Sequence, residues 1–113
     1  REMANAFKTF TAQNIDTSSS KATLYTCPSS TETTIIGLNI ANILTVSITV
    51  TVELLDGGTT ITHVVKDAIV PVGSSLVAVG GPQKIVMNAT DVLKVYGSQA
   101  NCCDAVLSVL EIT

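Results

Sequence analysis

The sequence is poor in the side chains from which most binding and catalytic sites are built. Its 113 residues include no tryptophan, two phenylalanines, two tyrosines and a single histidine. Only 13% of the residues are charged, about half the fraction usual in soluble proteins. The six basic residues are outnumbered by nine acidic ones and form no cluster. Because nucleic acids are bound through clustered cations, we expect no nucleic-acid partner.

Long apolar runs are missing as well. No stretch approaches the roughly 18 uninterrupted apolar residues that a membrane-spanning helix requires. The N-terminus lacks the basic-then-apolar pattern of a secretory signal. We therefore expect neither a membrane partner nor a targeting segment.

The cysteines do not form a recognisable framework. Cys27, Cys102 and Cys103 make an odd count, which does not suit a set of disulfides. A zinc site needs Cys and His ligands that converge, but the chain has only His63. In an extended segment the adjacent Cys102 and Cys103 would point to opposite faces. We therefore expect reduced thiols, no metal and no cofactor.

What the sequence does contain favours β-structure. Sixteen threonines and ten serines accompany many valine and isoleucine residues, and β-branched side chains suit a pleated sheet. A surface of threonine, serine, asparagine and small apolar residues also packs readily against protein. We therefore favour self-assembly, or docking onto a larger body, over an isolated β domain.

One hairpin stands out. In Val46–Leu55 apolar and polar residues alternate, with Val46, Ile48, Val50, Val52 and Leu54 on one face and Ser47, Thr49, Thr51 and Glu53 on the other. This period of two predicts a strand buried on one side. Asp56-Gly57-Gly58 then predicts a tight turn, and Thr60–Lys66 the returning strand.

Further strands are predicted at intervals of about ten residues, the spacing of a sandwich or barrel. They are Ala6–Ala12, Lys21–Cys27, Thr33–Ala41 (Ile36, Leu38 and Ile40 on one face; Ile35, Gly37 and Asn39 on the other), Ser75–Val79, Lys84–Met87, Val92–Tyr96 and Asp104–Ile112. Turns are predicted at Pro71-Val72-Gly73 and, as a hairpin, at Gly80-Gly81-Pro82. The last strand is apolar on both faces, so we expect it to be central or covered by a neighbouring subunit.

The prediction is an all-β fold, an antiparallel β-sandwich of jelly-roll-like or Ig-like type with eight or nine short strands. Residues 21–113 form the single sandwich domain, and residues 1–20 form an N-terminal arm or edge strand. We expect Ala4–Ser20 to reach toward a neighbouring molecule.

A search for chemistry identifies no catalytic, cofactor-binding or metal-binding residue. The carboxylates are scattered and mostly near turns or strand ends, so we interpret them as solvated: Asp16, Glu32, Glu53, Asp56, Asp67, Asp91, Asp104 and Glu111. His63 is predicted to be a core or interface residue on the face of Ile61 and Val65. The glycine pairs open no helix, so they offer no phosphate site. Phe7, Phe10, Tyr25 and Tyr96 are too scattered for a stacking platform.

The order of motifs resembles that of small all-β virion structural proteins of tailed bacteriophages, notably marine and cyanobacterial phages. The matching runs cover about residues 21–113 and are Leu24-Tyr25-Thr26-Cys27-Pro28, Thr33 to Asn42, Asp56-Gly57-Gly58, Val70 to Leu76, Ile85 to Val95 and Leu107 to Ile112. The family pattern has Ala-Gly-Asp where Ala89-Thr90-Asp91 stands here, so we expect a different turn, because threonine lacks the freedom of glycine at positive φ.

The resemblance implies a non-enzymatic virion protein made in the bacterial host cytoplasm. The expected role is a capsid decoration or cement protein that packs on the major capsid protein and on itself, with a trimer favoured by analogy. The alternatives are a neck or tail ring component and, from another class, a carbohydrate-binding adhesion module.

Overall fold

A computed structural model describes residues 5–80 and 84–113, and its regular structure is almost entirely extended. The nine strands are β1 (Asn5–Ile15), β2 (Ala22–Thr26), β3 (Glu32–Asn42), β4 (Ile48–Asp56), β5 (Thr60–Val70), β6 (Ser75–Val79), β7 (Ile85–Met87), β8 (Val92–Gly97) and β9 (Cys103–Ile112). One 3-10 turn, Ser18–Ser20, follows β1. Within these ranges no helix is long and apolar enough to cross a membrane.

The strands form two antiparallel sheets. In the first sheet the order is β1-β9-β3, with both β6 and β7 on the outer edge of β3; in the second it is β2-β8-β4-β5. Starting from the β4–β5 hairpin, strands at equal distance along the chain pair with one another: β3 with β6 and β7, β2 with β8, and β1 with β9. A ribbon folded in this way is a jelly roll. The predicted sandwich is confirmed, as its jelly-roll form.

The core lies between the inner faces of the two sheets. Strand β9 contributes alternate buried residues, as the pleat requires, including Ala105, Leu107 and Val109. Strand β4 faces them from the second sheet with Ile48 and Val50. Since β9 lies between β1 and β3, its predicted central position is confirmed.

A bulge in β3 corrects the predicted faces of that strand. Ile35 pairs with Val109 and Gly37 pairs with Ser108, so Ile36 is an extra residue. A bulge inverts the alternation beyond it. Ile35 and Leu38 therefore both lie in the core, and the prediction that they face opposite ways was wrong.

The β4–β5 hairpin is confirmed. Asp56 pairs with Thr60 across the turn, and Gly57 and Gly58 supply the positive φ angles of 62° and 81°. The prediction of one buried face was too simple, because Thr51 and Glu53 are buried on the outer face of this central strand. The strand also begins at Ile48, and Val46 before it is exposed.

The predicted hairpin at Gly80-Gly81-Pro82 was wrong. Strands β6 and β7 both pair antiparallel to β3, so they run in the same direction along one edge. They are two pieces of one interrupted strand, and residues 81–83 of the connection lie outside the described residues.

Residues 5–15 form β1, an edge strand paired only with β9. A positive φ of 53° at Asn14 accompanies the irregular pairing at its end. Whether the predicted arm Ala4–Ser20 contacts a neighbour stays a prediction, and Ala4 lies outside the described residues.

Gly97 is required by the core packing. A Cβ at this position would overlap Cys102 Sγ. We expect Gly97→Ala to cost about 1–3 kcal/mol of unfolding free energy in urea, as overpacked cores do. Because the Cys102 Cβ lies at 3.8 Å, Cys102→Ala should relieve the clash. We expect the double variant Gly97→Ala, Cys102→Ala to be as stable as Cys102→Ala alone. If the double variant instead loses the sum of the two single losses in unfolding free energy, this packing is contradicted.

Thr90 adopts the positive φ that its side chain disfavours, at 73°. At the Ala89-Thr90-Asp91 turn the backbone of Thr90 is therefore in the left-handed region, although threonine stands where the family pattern has glycine. We expect Thr90→Gly to raise the unfolding free energy by about 0.5–1 kcal/mol, because strain is removed at a cost in chain entropy. Thr59→Gly is the matched control, since Thr59 has no positive φ, and this variant should lose stability. An equal loss of unfolding free energy in Thr90→Gly and Thr59→Gly would contradict backbone strain at Thr90.

Candidate functional site

A buried polar network joins the two sheets near one end of the sandwich. The Tyr25 hydroxyl on β2 donates to Glu111 Oε2 on β9 and lies 2.8 Å from Thr33 Oγ1 on β3. The ammonium of Lys8 on β1 lies 2.8 Å from the other oxygen, Glu111 Oε1. Four strands from both sheets therefore meet at one carboxylate.

Strand alternation brings these groups inward. Glu111 follows Leu107 and Val109 on the core side of β9 and is only 5% exposed. On β1 the Phe10 ring packs on Tyr25 with centroids 4.8 Å apart. The network thus forms the polar end of the apolar core.

The ionisation of this pair suits a structural contact. Hydrogen bonds from Lys8 and then Tyr25 lower the pKa of Glu111. Burial and the hydrogen bond to Glu111 raise the pKa of Tyr25. General acid–base catalysis needs a pKa near the working pH, whereas both shifts move away from neutrality. The phenol therefore remains a donor and the carboxylate an acceptor.

A cleft of about 410 Å³ opens beside this network, between edge strands β1 and β2. Its lining mixes polar and apolar side chains: Lys8, Phe10, Thr23, Leu24, Tyr25, Thr26, Pro28 and Glu111. The polar groups on its floor are already paired with one another, so the cleft offers a ligand mainly the half-exposed Lys8.

The three thiols are all buried and free. Cys27 Sγ lies 3.3 Å from Thr33 Oγ1, and burial raises the pKa of both Cys27 and Cys103. Protonated, buried thiols are poor nucleophiles. The prediction that Cys102 and Cys103 face opposite ways assumed an extended segment, and their sulfurs lie instead 3.7 Å apart. Cys102 precedes β9, where the chain is not extended.

His63 lies on the outer face of the second sheet, so of the two predicted positions the core one was wrong, and the interface one stays a prediction. Its side chain is 40% exposed, and Nε2 is 3.4 Å from Glu53 Oε2. His63 pairs with Glu53 and Val65 pairs with Val52, so Val64 is an extra residue in β5, and the bulge places His63 and Val65 on different faces. Because the cysteines face the core, the sheet separates them from the only imidazole. No group of three or more His, Cys, Asp and Glu side chains in residues 5–80 and 84–113 could hold a metal.

Three carboxylates predicted to be solvated are buried: Glu53, Asp91 and Glu111. Glu53 is paired with the Lys21 ammonium at 3.0 Å, and that ammonium lies 5.3 Å from the centre of the Tyr96 ring. Asp91 accepts backbone hydrogen bonds from Gly57 and Asn88, both at 2.9 Å. Asp91 therefore does stabilise turns, but from a buried position.

The sequence interpretation missed the Lys8–Glu111–Tyr25 network. One signal was available, because alternation places Glu111 on the same side as Leu107 and Val109. No local pattern indicated its partners, which lie 86 and 103 positions away in the chain.

The network makes stability depend on pH in the acid range. Because folding lowers the pKa of Glu111, its contribution is present above the unfolded value near 4.5 and is lost as pH falls through the folded value. We expect Glu111→Gln to cost about 1 kcal/mol at pH 7, since Lys8 is half exposed. When unfolding free energies are measured in urea, the difference between wild type and Glu111→Gln should become smaller from pH 7 to pH 3. A difference that does not change with pH would contradict a stabilising ion pair between Lys8 and Glu111.

Comparisons with known proteins identify the fold. No protein-family model matches the chain, and no curated protein matches its sequence. A protein of Bacillus endospore appendages, which form a family of disulfide-linked pili, is similar with a TM-score of 0.57 and 17% identity over 97% of this chain and 86% of that one. A chain of infectious bursal disease virus, Gx strain, is similar with a TM-score of 0.52 and 12% identity. That match covers 99% of this chain but 33% of the viral one, so this chain spans a third of its length. The likeness to both is one of fold.

Proposed function

We propose that the chain is a non-enzymatic structural subunit that packs against copies of itself in a larger assembly. The observation that carries the proposal is its jelly-roll fold, which is similar over nearly the whole chain to a protein of pili and to a chain of a virus. The low charge of the sequence supports the same proposal, because uncharged surfaces are buried between proteins at little cost.

More specifically, we infer a decoration or cement protein of a tailed-phage capsid, made in the host cytoplasm and carried on the virion. In this role the sandwich contacts the major capsid protein and its own copies, with a trimer as the expected unit. Many weak contacts then add through multivalency and resist the pressure of packaged DNA. The resemblance of residues 21–113 to phage virion proteins supports this finer proposal.

A neck or tail ring is the alternative within the same class. Counting copies per particle by quantitative mass spectrometry of purified virions separates the two. Hundreds of copies support the capsid role, whereas one or two rings of copies support the neck or tail.

A carbohydrate-binding module is the alternative from another class, and the aromatic side chains argue against it. Sugar platforms need exposed rings, but Phe10 and Tyr25 pack on each other and Tyr96 lies beneath the Lys21 ammonium. Phe7 alone is strongly exposed among the four rings. Binding to a glycan array would revive this alternative.

We expect an oligomer that survives strong reductant, because all three thiols of the chain are buried. Light scattering across a dilution series, with and without dithiothreitol, gives the native mass. A maleimide should label the cysteines only after denaturation. A monomer at every concentration would contradict self-assembly, while an oligomer lost on reduction would mean that a cysteine links the copies.

A further inference from the structure

We propose that the outer face of the first sheet binds the same face of a second copy through a two-fold contact. This inference rests on the proposed self-assembly and names one surface that contributes to it, separate from the contacts within the expected trimer. The register places the outward side chains in three rows: Phe7, Leu110, Thr34 and Val86; then Thr9, Ser108 and Gly37; then Thr11, Val106, Asn39 and Val77. We call these rows the A face.

The three rows of the A face carry no ionisable side chain. Charged residues lie at its rim: Glu32 and Asp104 are beyond the first and last rows, and the exposed Lys84 immediately precedes β7 at the outer edge. The outer face of the second sheet is different, since it holds a set of charged or titratable side chains: Lys21, Glu53, His63, Lys66, Asp67 and Lys94. Covering the A face removes no charge from water, and its best match in charge is a second A face.

The A face also exposes large apolar side chains. Phe7 is 77% exposed, and Val77, Val86 and Val106 are exposed on the same surface. Exposed apolar side chains interspersed with uncharged polar ones are typical of a protein–protein contact. Phe7 has the largest side chain in the three rows and is the most exposed of these apolar residues, so we take it as the knob, the side chain that inserts into the partner.

A hole for this knob lies on the same face. A depression of about 260 Å³ surrounds Gly37 and is bordered by Val77, Val106 and Ser108. A Cβ on Gly37 would meet only the Val79 carbonyl oxygen at 3.7 Å, so the missing side chain leaves real space. Phe7 and Gly37 are two strands and one row apart, roughly 12 Å.

A knob and a hole on one face are self-complementary. A two-fold axis lying between two facing sheets exchanges the pair, so that each Phe7 enters the depression at Gly37 of the other copy. The three rows span roughly 19 Å by roughly 20 Å. That area, on the order of 400 Å² per copy, is about half of a standard interface. The contact is therefore weak and depends on concentration, as suits one of many in an assembly.

Variants at the knob and the hole test the contact. Phe7→Ser removes the knob, and Ser108→Lys blocks the hole with a charge. The controls lie on β5 of the second sheet: Ile69→Ser, at a residue that is 71% exposed, and Thr62→Lys, which adds a charge at an exposed position. Thermal unfolding of each variant checks that it folds.

Sedimentation velocity over a dilution series gives the result. We expect the native mass to halve in Phe7→Ser and Ser108→Lys and to match wild type in both controls. If wild type assembles and both A-face variants keep its mass, this inference fails while the proposed function stands. A wild-type chain that is monomeric at every concentration overturns both this inference and the proposed self-assembly.

Cross-linking provides a positive test. A Thr9→Cys variant keeps both the knob and the hole, and Thr9 lies one row from Phe7 on the same strand, close to the axis that exchanges Phe7 and Gly37. A short bis-maleimide should produce covalent dimers of Thr9→Cys, because facing sheets lie roughly 10 Å apart and the native thiols are buried, whereas Ile69→Cys should give none. Equal yields of dimer from both variants would contradict the proposed pairing.

Discussion

The fold depends on the mutual burial of the inner faces of four central strands. In the first sheet β3 and β9 contribute Ile35, Leu38 and Leu107, and in the second β4 and β8 contribute Val50 and Val95, all of them fully buried. Each strand satisfies its backbone hydrogen bonds on both sides, so these residues can be withdrawn from water without unpaired polar groups. The edge strands pair with the outer sides of these central strands, so the central strands determine where the edge strands lie.

The ends and edges of the sandwich are where polar groups must be accommodated. At one end Glu111 enters the core side, and Lys8 and Tyr25 satisfy it from two different sheets. On edge strand β5, irregular pairing and the Thr51–Asp67 hydrogen bonds break the regular ladder. Bulges and charges of this kind discourage uncontrolled pairing with other strands. The β5 edge of the second sheet is therefore poorly suited to pairing with other strands, whereas the A face of the first sheet is broad and uncharged.

The difference between the two outer faces connects the fold to a function. The second sheet is covered by a charged cluster around Glu53, whereas the A face is uncharged and carries Phe7. The three rows of the A face can therefore be covered by another protein without burying a charged side chain, whereas the outer face of the second sheet cannot. The three thiols are buried, and the pKa values of Tyr25 and Glu111 are shifted away from neutrality, so these side chains act as fixed parts of the packed interior.

The sequence by itself determined the strand-forming segments, the Asp56-Gly57-Gly58 turn and the burial of both faces of Asp104–Ile112, by a central position or by a neighbouring subunit. Each of these depends on residues that are consecutive in the chain. Only the tertiary structure decided between jelly-roll and Ig-like pairing, the bulge at Ile36 and the joining of β6 and β7 on one edge. It also decided that Glu111 meets Tyr25. These features depend on contacts between residues far apart in the chain, and a local alternation of side chains contains no information about which distant strand will lie beside it.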